Sequence, residues 1–180
     1  MADELTMPTL SADGFVLRAF EFQDAPLIQE VSADPFIPLV TTVPTTDSPA
    51  EARAFISRQH SRSATGQGYS FAIAEHDTNR AVGQIGLWRD NIKHGRASVG
   101  YWIAASQRRR GIAATALRAI TAWGLRLPEV ARLELYVEPW NTGSWKTAEL
   151  VGYQREGLLR GWEAVAGTRR DMFMYAKLAP

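Results

Sequence analysis

The chain contains no cysteine among its 180 residues. Without a thiol it forms no disulfide, no cysteine-ligated zinc or iron–sulfur centre and no covalent intermediate on sulfur. A chain of this length buries about 70% of its extended surface on folding, so it needs no such cross-link for stability. Its length and its ordinary apolar content, 46% of residues, predict one compact domain held by side-chain packing.

Long apolar runs and an excess of charge of one sign are also missing. The longest apolar runs, such as Tyr101–Ala105, span five residues, whereas a membrane-spanning helix needs about 20. The N-terminal sequence MADELTMPTL is acidic and lacks the basic and apolar regions of an export signal. Lys and Arg number 20 against 19 Asp and Glu, which gives a net charge of +1. We therefore expect a cytoplasmic, soluble protein that binds neither nucleic acid nor membranes.

Metal-ligand spacing and the common nucleotide-binding motifs are absent as well. The three histidines, His60, His76 and His94, are scattered along the chain, so we expect no metal site. No G-x-x-x-x-G-K-[ST] sequence occurs, and no G-x-G-x-x-G follows a predicted strand. These absences argue against a P-loop NTPase and a Rossmann dinucleotide site.

The hydrophobic pattern predicts a mixed α/β sheet with helices on its faces. Residues 1–13 are expected to form a loose polar leader. Residues 34–49 hold four prolines and predict a long loop, either a binding segment or a plain connector. Strands are predicted at 15–20, 69–75, 81–88, 96–104, 131–137, 153–164 and 168–178, and helices after Asp24 and at 49–63, 111–125 and 141–151.

The segment Gln107–Ala113 joins a predicted strand to the clearest helix and contains three consecutive arginines. The first N–H groups of a helix have no internal partner and lie at the positive end of the helix dipole. Gly111 and Ala113 allow a ligand to approach this backbone closely, and arginine is a bidentate phosphate donor. The turn therefore predicts a pyrophosphate site. A solvated basic turn without a ligand is the alternative.

This turn resembles the signature of the GNAT superfamily of acyl-CoA-dependent N-acyltransferases, [Q/R]-x-x-G-x-[G/A]. The order and spacing of the flanking motifs resemble the RimJ/RimL type, the ribosomal-protein N-acetyltransferases. The resemblance is clear over residues 80–178 and looser over 13–75. The matching motifs are G-Y-W-I at 100–103, R-x-x-G-x-A at 108–113, N-T-G-S at 141–144, E-L-V-G-Y at 149–153 and E-G at 156–157.

The resemblance implies a single domain over residues 1–180, with a mostly antiparallel sheet in which two parallel strands splay apart. Acetyl-CoA would lie in the gap between residues 99–104 and 132–137. Asn141 would bind the cofactor arm, or serve only as a helix N-cap, for which asparagine is also favoured. Backbone N–H groups would bind the pantetheine arm at Trp102 and Ile103, and the pyrophosphate at Arg108, Arg109, Arg110, Gly111, Ile112 and Ala113.

The resemblance also names catalytic candidates and two departures. Ser144 would protonate the leaving thiolate, since the tyrosine that many members place seven residues after the asparagine is Ala148 here. The base that some relatives place five residues before the asparagine is Tyr136 here. Glu134 and Glu138 share the strand parity of Tyr136, and either, or a water molecule, is a candidate base. The alternatives are a serine of structural role in the first helical turn and two surface glutamates.

The expected activity is direct transfer of an acetyl group from acetyl-CoA to a primary amine, either a protein N-terminal α-amine or a small amine. A non-catalytic acyl-CoA-binding or sensing domain is the alternative. The sequence leaves open a monomer or a homodimer. It also leaves open which aromatic residues contact the acceptor among Tyr136, Tyr153, Trp140, Trp145 and Trp162.

Overall fold

The computed structural model describes residues 4–180. None of the helices in that part of the chain is long and apolar enough to cross a bilayer. The strands are β1 (Leu10–Ala12), β2 (Phe15–Arg18), β3 (Gly68–Glu75), β4 (Ala81–Trp88), β5 (Arg96–Ile103), β6 (Arg132–Val137), β7 (Gln154–Val165) and β8 (Thr168–Leu178). The helices are α1 (Ala25–Ser32), α2 (Ile37–Val40), α3 (Pro49–Ala64), α4 (Ile112–Gly124) and α5 (Thr142–Leu150).

All eight strands form one sheet in the order β1-β2-β3-β4-β5-β6-β8-β7, and helices cover both of its faces. Alternate side chains of each strand point to opposite faces and so build two cores. Phe71 of β3 packs in the core beneath α4 and α5, whereas its neighbour Ala72 packs in the core with α1 and α3. The apolar face of α4 fills the first core, where Leu117 and Ile120 are fully buried. The mixed sheet expected from the sequence is confirmed.

The only parallel pair among the described strands is β5 with β6, and it is short. The register joins Arg96 to Arg132 and Ser98 to Glu134, after which the pairing ends although both strands continue. The remainder of β5 hydrogen-bonds to β4 on its other side, and the remainder of β6 to β8. The two strands therefore splay apart toward their carboxyl ends and leave a gap in the sheet.

The structure differs from the sequence prediction in the two segments expected to be irregular. Leu10–Ala12 is not part of a loose leader, because it pairs antiparallel with β2. Residues 1–3 of that predicted leader lie outside the described residues. The loop at 34–49 contains the one-turn helix α2, whose first N–H groups, those of Phe36 and Ile37, donate to the Asp34 carboxylate.

Asp24, the residue before the first predicted helix, does not cap that helix with its side chain. It occupies the N-cap position of α1, but its side chain makes no capping bond there. Its carboxylate instead accepts two hydrogen bonds from the Arg18 guanidinium, at 2.8 and 2.9 Å. Since both side chains are buried, this pair satisfies charges that would otherwise be costly to desolvate.

Burial of the tyrosines predicts loss of stability at high pH. Burial raises the pKa of every tyrosine in the chain above its ordinary value of 10.0, and those of Tyr136 and Tyr175 reach about 12. The unfolded chain therefore loses these protons before the folded chain does, so their stabilising contribution is complete below pH 10 and is lost as the pH rises toward 12.

We expect the melting temperature to fall from pH 10 upward and tyrosinate absorbance at 295 nm to appear only with unfolding. A spectrophotometric titration combined with circular dichroism measures both. Tyrosines that ionise near pH 10 in the folded protein would contradict this expectation.

Candidate active site

The gap between β5 and β6 opens into a cavity of about 580 Å³ that reaches both faces of the sheet. On the α5 side its wall includes Tyr101 and Ser144, and on the α3 side it includes Trp102 and Glu138. The splay thus lets a chemical group on one face meet a group on the other. The cavity brings together predicted residues from β5, from the end of β6 and from the start of α5.

The turn before α4 presents a series of free backbone N–H groups. Arg109 and Gly111 adopt left-handed conformations, with φ of 64° and 75°. The first backbone N–H of α4 that donates a hydrogen bond to a carbonyl of this turn is that of Thr115, which lies 3.1 Å from the Gly111 carbonyl oxygen. The N–H groups between Arg109 and Ala114 accordingly have no hydrogen-bond acceptor within residues 4–180. Such a turn binds an anion through its backbone.

Two of the three arginines in the turn are already engaged with carboxylates. The Arg108 guanidinium donates to the Ile103 carbonyl at 3.1 Å and to Asp34 at 2.6 Å. The Arg110 guanidinium donates to Glu75 at 3.3 Å. The structure therefore differs from the picture of three free phosphate donors, because Arg108 ties the turn to the segment before α2 and Arg110 ties it to the end of β3, while the backbone N–H groups stay unpaired.

Gly111 offers a test of this left-handed turn, with Gly143 as its matched control. A Cβ at either position meets no atom within 4 Å, so only the backbone conformation differs between them. Since Gly111 has positive φ, Gly111→Ala is expected to cost about 1–2 kcal/mol, or roughly 2–8 °C in melting temperature. Gly143 lies in the first turn of α5, and Gly143→Ala is expected to stabilise by about 0.5–1 kcal/mol. Equal melting temperatures for the two variants would contradict this account.

Asn141 and Ser144 lie at the start of α5, as predicted. The Asn141 side-chain oxygen accepts the Ser144 N–H at 3.2 Å, so Asn141 is the N-cap of α5. It also lines the cavity, so the capping role does not remove it from the site. The Ser144 hydroxyl lies 3.0 Å from the Tyr101 hydroxyl, and the latter donates to the Ser144 carbonyl at 3.2 Å.

Tyr101 is a residue of this site for which the sequence predicted no role. It lies in β5, two residues before the end of that strand and 43 residues from Ser144. Burial raises the pKa of its hydroxyl, which therefore stays protonated at neutral pH. A protonated hydroxyl that faces the cavity and contacts a serine hydroxyl can donate a proton to a leaving group. The alternation of side chains along β5 could have indicated this role, because it places Tyr101 on the face of the sheet that α5 covers.

Glu138 is buried in the cavity wall just beyond the end of β6. It is 6% exposed, which excludes a surface glutamate at this position. One carboxylate oxygen accepts the Trp140 indole N–H at 2.7 Å, whereas the other has no hydrogen-bond partner within residues 4–180. A buried carboxylate with one unpartnered oxygen beside a cavity is positioned to accept a proton.

Glu134 lies apart from this cavity, although it too is buried. It borders a smaller cavity of about 150 Å³, and its carboxylate pairs with Arg132 at 2.9 Å and Arg96 at 3.5 Å. Its second oxygen accepts the Tyr136 hydroxyl at 2.8 Å. Burial and this hydrogen bond raise the pKa of Tyr136 to about 12. Glu134 therefore orients Tyr136, which does line the larger cavity.

Trp102 and Ile103 end β5 on opposite faces of the sheet. Ile103 packs in the core beneath α4, whereas Trp102 packs on the α3 side and lines the cavity. The Trp102 indole N–H donates to Gln84 at 2.6 Å, and Gln84 in turn donates to Ser70 at 2.8 Å. This buried network fixes the orientation of Trp102 at the end of β5, in the stretch of chain that leads to the anion-binding turn.

The remaining aromatic residues divide into core and cavity positions. Tyr153 belongs to the core, where its hydroxyl lies 2.8 Å from that of Thr121. The Trp145 indole donates to the Pro139 carbonyl at 3.2 Å. Trp140 and Trp162 are exposed and pack against the cavity-lining rings of Phe36 and Tyr136 respectively. Within residues 4–180, no group of three or more histidines and carboxylates is arranged to hold a metal ion.

A gap between splayed parallel strands, with a turn of unpaired backbone N–H groups after β5, is the arrangement that the sequence resemblance predicts for an acyl-CoA-dependent acyltransferase. Residues 15–154 match the acetyltransferase (GNAT) domain family, and the chain belongs to that family. It is 29% identical over 172 residues to the uncharacterized N-acetyltransferase p20 of Bacillus licheniformis, covering 96% of this chain and 97% of that protein. These matches confirm the predicted family and class of enzyme, an acetyl-CoA-dependent N-acetyltransferase.

Two further comparisons extend the family match, and the second concerns the predicted branch of the family. The chain is 26% identical over 173 residues to the uncharacterized N-acetyltransferase YoaA of Bacillus subtilis, covering 96% of this chain and 98% of that protein. The structure matches Mycobacterium smegmatis RimJ in complex with CoA-disulfide, with a TM-score of 0.80 and 25% identity over 96% of this chain and 86% of that one. The RimJ match confirms the resemblance to the RimJ/RimL type. A RimL structure, 20% identical, shares the fold with a TM-score of 0.80.

Proposed function

We propose that the chain transfers the acetyl group of acetyl-CoA directly to a primary amine inside the gap between β5 and β6. The observation that carries this proposal is the pair of proton-handling groups on opposite walls of one cavity. Glu138 has an unpartnered carboxylate oxygen on one wall, and the hydroxyl pair of Tyr101 and Ser144 lies on the other. Amine acetylation needs one group to accept a proton and another to supply one.

The anion-binding turn would hold the pyrophosphate of acetyl-CoA. The N–H groups of Arg109, Arg110, Gly111, Ile112 and Ala113 supply the donors, and Arg109 has no carboxylate partner within residues 4–180. The pantetheine arm would follow the unpaired edge of β5, where N–H groups near Trp102 and Ile103 polarise the thioester carbonyl. CoA bound in the RimJ structure and acetyl-CoA with AMP in the MccE structure support use of this co-substrate.

The transfer requires two proton movements. An ammonium acceptor first loses a proton to solvent. Glu138 then takes a proton from the nitrogen of the neutral amine as that nitrogen bonds to the acetyl carbon and the carbon–sulfur bond breaks. The departing thiolate takes a proton from the hydroxyl pair of Tyr101 and Ser144, and return of the Glu138 proton to this pair through solvent restores both groups. Since the chain contains no cysteine, no acyl-thiol enzyme intermediate forms, and both substrates are bound together.

The acceptor is a primary amine, either a protein N-terminal α-amine or a small molecule. We also propose a cytoplasmic location, with the protein a monomer or a homodimer.

An amine panel tests the proposed function: N-terminal peptides, amino acids, spermidine and an aminoglycoside, each incubated with acetyl-CoA and analysed by mass spectrometry. Released CoA is followed with a thiol reagent, and the enzyme adds no background because it has no cysteine.

We expect an N-acetylated product and an equimolar amount of free CoA thiol from at least one acceptor. Acetyl-CoA binding without product across the whole panel would instead favour a non-catalytic acyl-CoA-binding domain.

A further inference from the structure

Arg62 of α3 lines the same cavity as Glu138, and neighbouring groups hold it in place. Its guanidinium lies 4.6 Å above the Trp88 ring, and its Nε donates to the buried Gln59 side chain at 3.1 Å. The Trp88 ring is itself seated against Gly86, where a Cβ would come within 2.2 Å of the ring. The absence of a side chain at Gly86 is thus what allows Trp88 to support the arginine.

The charge of Arg62 is not neutralised by a nearby side chain. Within residues 4–180, no carboxylate lies within 4 Å of its guanidinium, and its two terminal nitrogens have no hydrogen-bond partner. Arg58, one turn earlier on α3, adds a second positive charge, while Asp90 is the acidic group whose field reaches Arg62. Burial lowers the pKa of Arg62, but a guanidinium remains charged at neutral pH because its ordinary pKa is above about 12.

The walls of the cavity combine aromatic rings with aliphatic and polar side chains. Phe36, Trp102 and Tyr136 line the cavity together with Trp88. A cavity of about 580 Å³ falls within the range of roughly 300–1,000 Å³ that small-molecule sites occupy. The cavity therefore offers the Arg62 guanidinium, the Glu138 carboxylate and aromatic rings to one compact molecule, and Asp90 and Glu163 also line it.

We infer that the acceptor is a small primary amine that also carries a carboxylate, namely a free α-amino acid with an apolar or aromatic side chain. Arg62 binds its carboxylate in the bidentate manner that guanidinium and carboxylate geometry favours, while the amine faces Glu138. The side chain packs among the rings. This inference rests on the proposed function and specifies its acceptor.

The test compares acceptors that differ only in the carboxylate. The pairs are L-phenylalanine with 2-phenylethylamine, L-tryptophan with tryptamine and L-leucine with 3-methylbutylamine. For wild type we expect kcat/KM to favour the amino acid of at least one pair about 10- to 100-fold. Arg62→Gln should lower kcat/KM for the amino acid more than for the plain amine and so remove that preference, with no change in the KM for acetyl-CoA. Because the change in preference between wild type and Arg62→Gln is measured with the same pair of acceptors, differences in amine basicity cancel from that change.

Arg53→Gln is the matched control, since it removes an arginine from the same helix that packs on Phe22 instead of lining the cavity. It should retain the preference for the amino acid. Equal use of both members of every pair, a preference unchanged in Arg62→Gln, or faster acetylation of a peptide with the same first residue would overturn the inference. No acetylation of any pair would also overturn it, whereas the proposed function fails only if the wider amine panel yields no product.

Discussion

Replacement of Glu138 by glutamine is expected to lower kcat/KM about 100-fold or more, the typical contribution of a general base. Glutamine keeps the size of the side chain and an oxygen that can accept the Trp140 indole N–H, but it cannot take a proton from the amine. Binding of acetyl-CoA should not change, because the anion-binding turn lies at the start of a different element. Steady-state kinetics at several pH values and an acetyl-CoA titration measure the two properties separately.

Glu134→Gln is the matched comparison for that prediction. It removes the same charge from the same face of β6, but from a carboxylate that is paired with two arginines outside the cavity. We expect it to lower the melting temperature, since Arg96 and Arg132 lose their partner, while kcat/KM falls less than for Glu138→Gln. A larger loss of activity in Glu134→Gln, or unchanged activity in Glu138→Gln, would refute the assignment of the base.

The second large effect is expected at Tyr101. Tyr101→Phe removes the hydroxyl that contacts Ser144 and keeps the ring in place. A thiol leaving group has a pKa of about 8.5 and needs only moderate help, so we expect kcat to fall about 10- to 100-fold. In the wild type, kcat should show no loss of this acid up to pH 10, because burial raises the Tyr101 pKa above its ordinary value of 10.0.

Ser144→Ala and the double variant distinguish the two hydroxyl groups. If they act as one donor unit, the double variant loses no more activity than the more damaging single variant. The larger single effect identifies the group that protonates the thiolate directly. Losses that multiply in the double variant would show that the hydroxyls act independently, and unchanged kcat in all three variants would exclude both as the acid.

Local sequence patterns predict much of this fold, because each pattern depends only on residues that are close together in the chain. The apolar spacing along α4 and the alternation of Leu133 and Leu135 in β6 report which face is buried. The Asn141 cap and the left-handed Gly152 follow from the preferences of single residues. The sequence of the three-residue strand β1 contains no comparable pattern, because this strand forms only through its pairing with β2.

The site was less predictable because it depends on contacts between distant segments. The alternation of side chains along this segment places Glu134 and Glu138 on one face. It does not reveal that the parallel pairing of β5 with β6 ends between them and opens the cavity. Nor does it reveal that Arg108 reaches Asp34, which lies 74 residues away in the chain. Tyr101 and Ser144 meet only because α5 packs across the splay. Because of such long-range contacts, residues of the same type, such as Glu134 and Glu138, have different roles.

The most direct test of the central claim is a thermal-shift titration with acetyl-CoA on wild type, Ala113→Glu and Arg118→Glu. Ala113→Glu adds a carboxylate to the first turn of α4, where the pyrophosphate would bind, and Arg118→Glu changes an exposed position further along the same helix. At 100 times its Kd, acetyl-CoA should stabilise wild type by about 2.7 kcal/mol, or roughly 5–11 °C. The account predicts that Arg118→Glu keeps this shift and Ala113→Glu loses it. No shift in wild type at millimolar acetyl-CoA, or an equal shift in all three proteins, would contradict it.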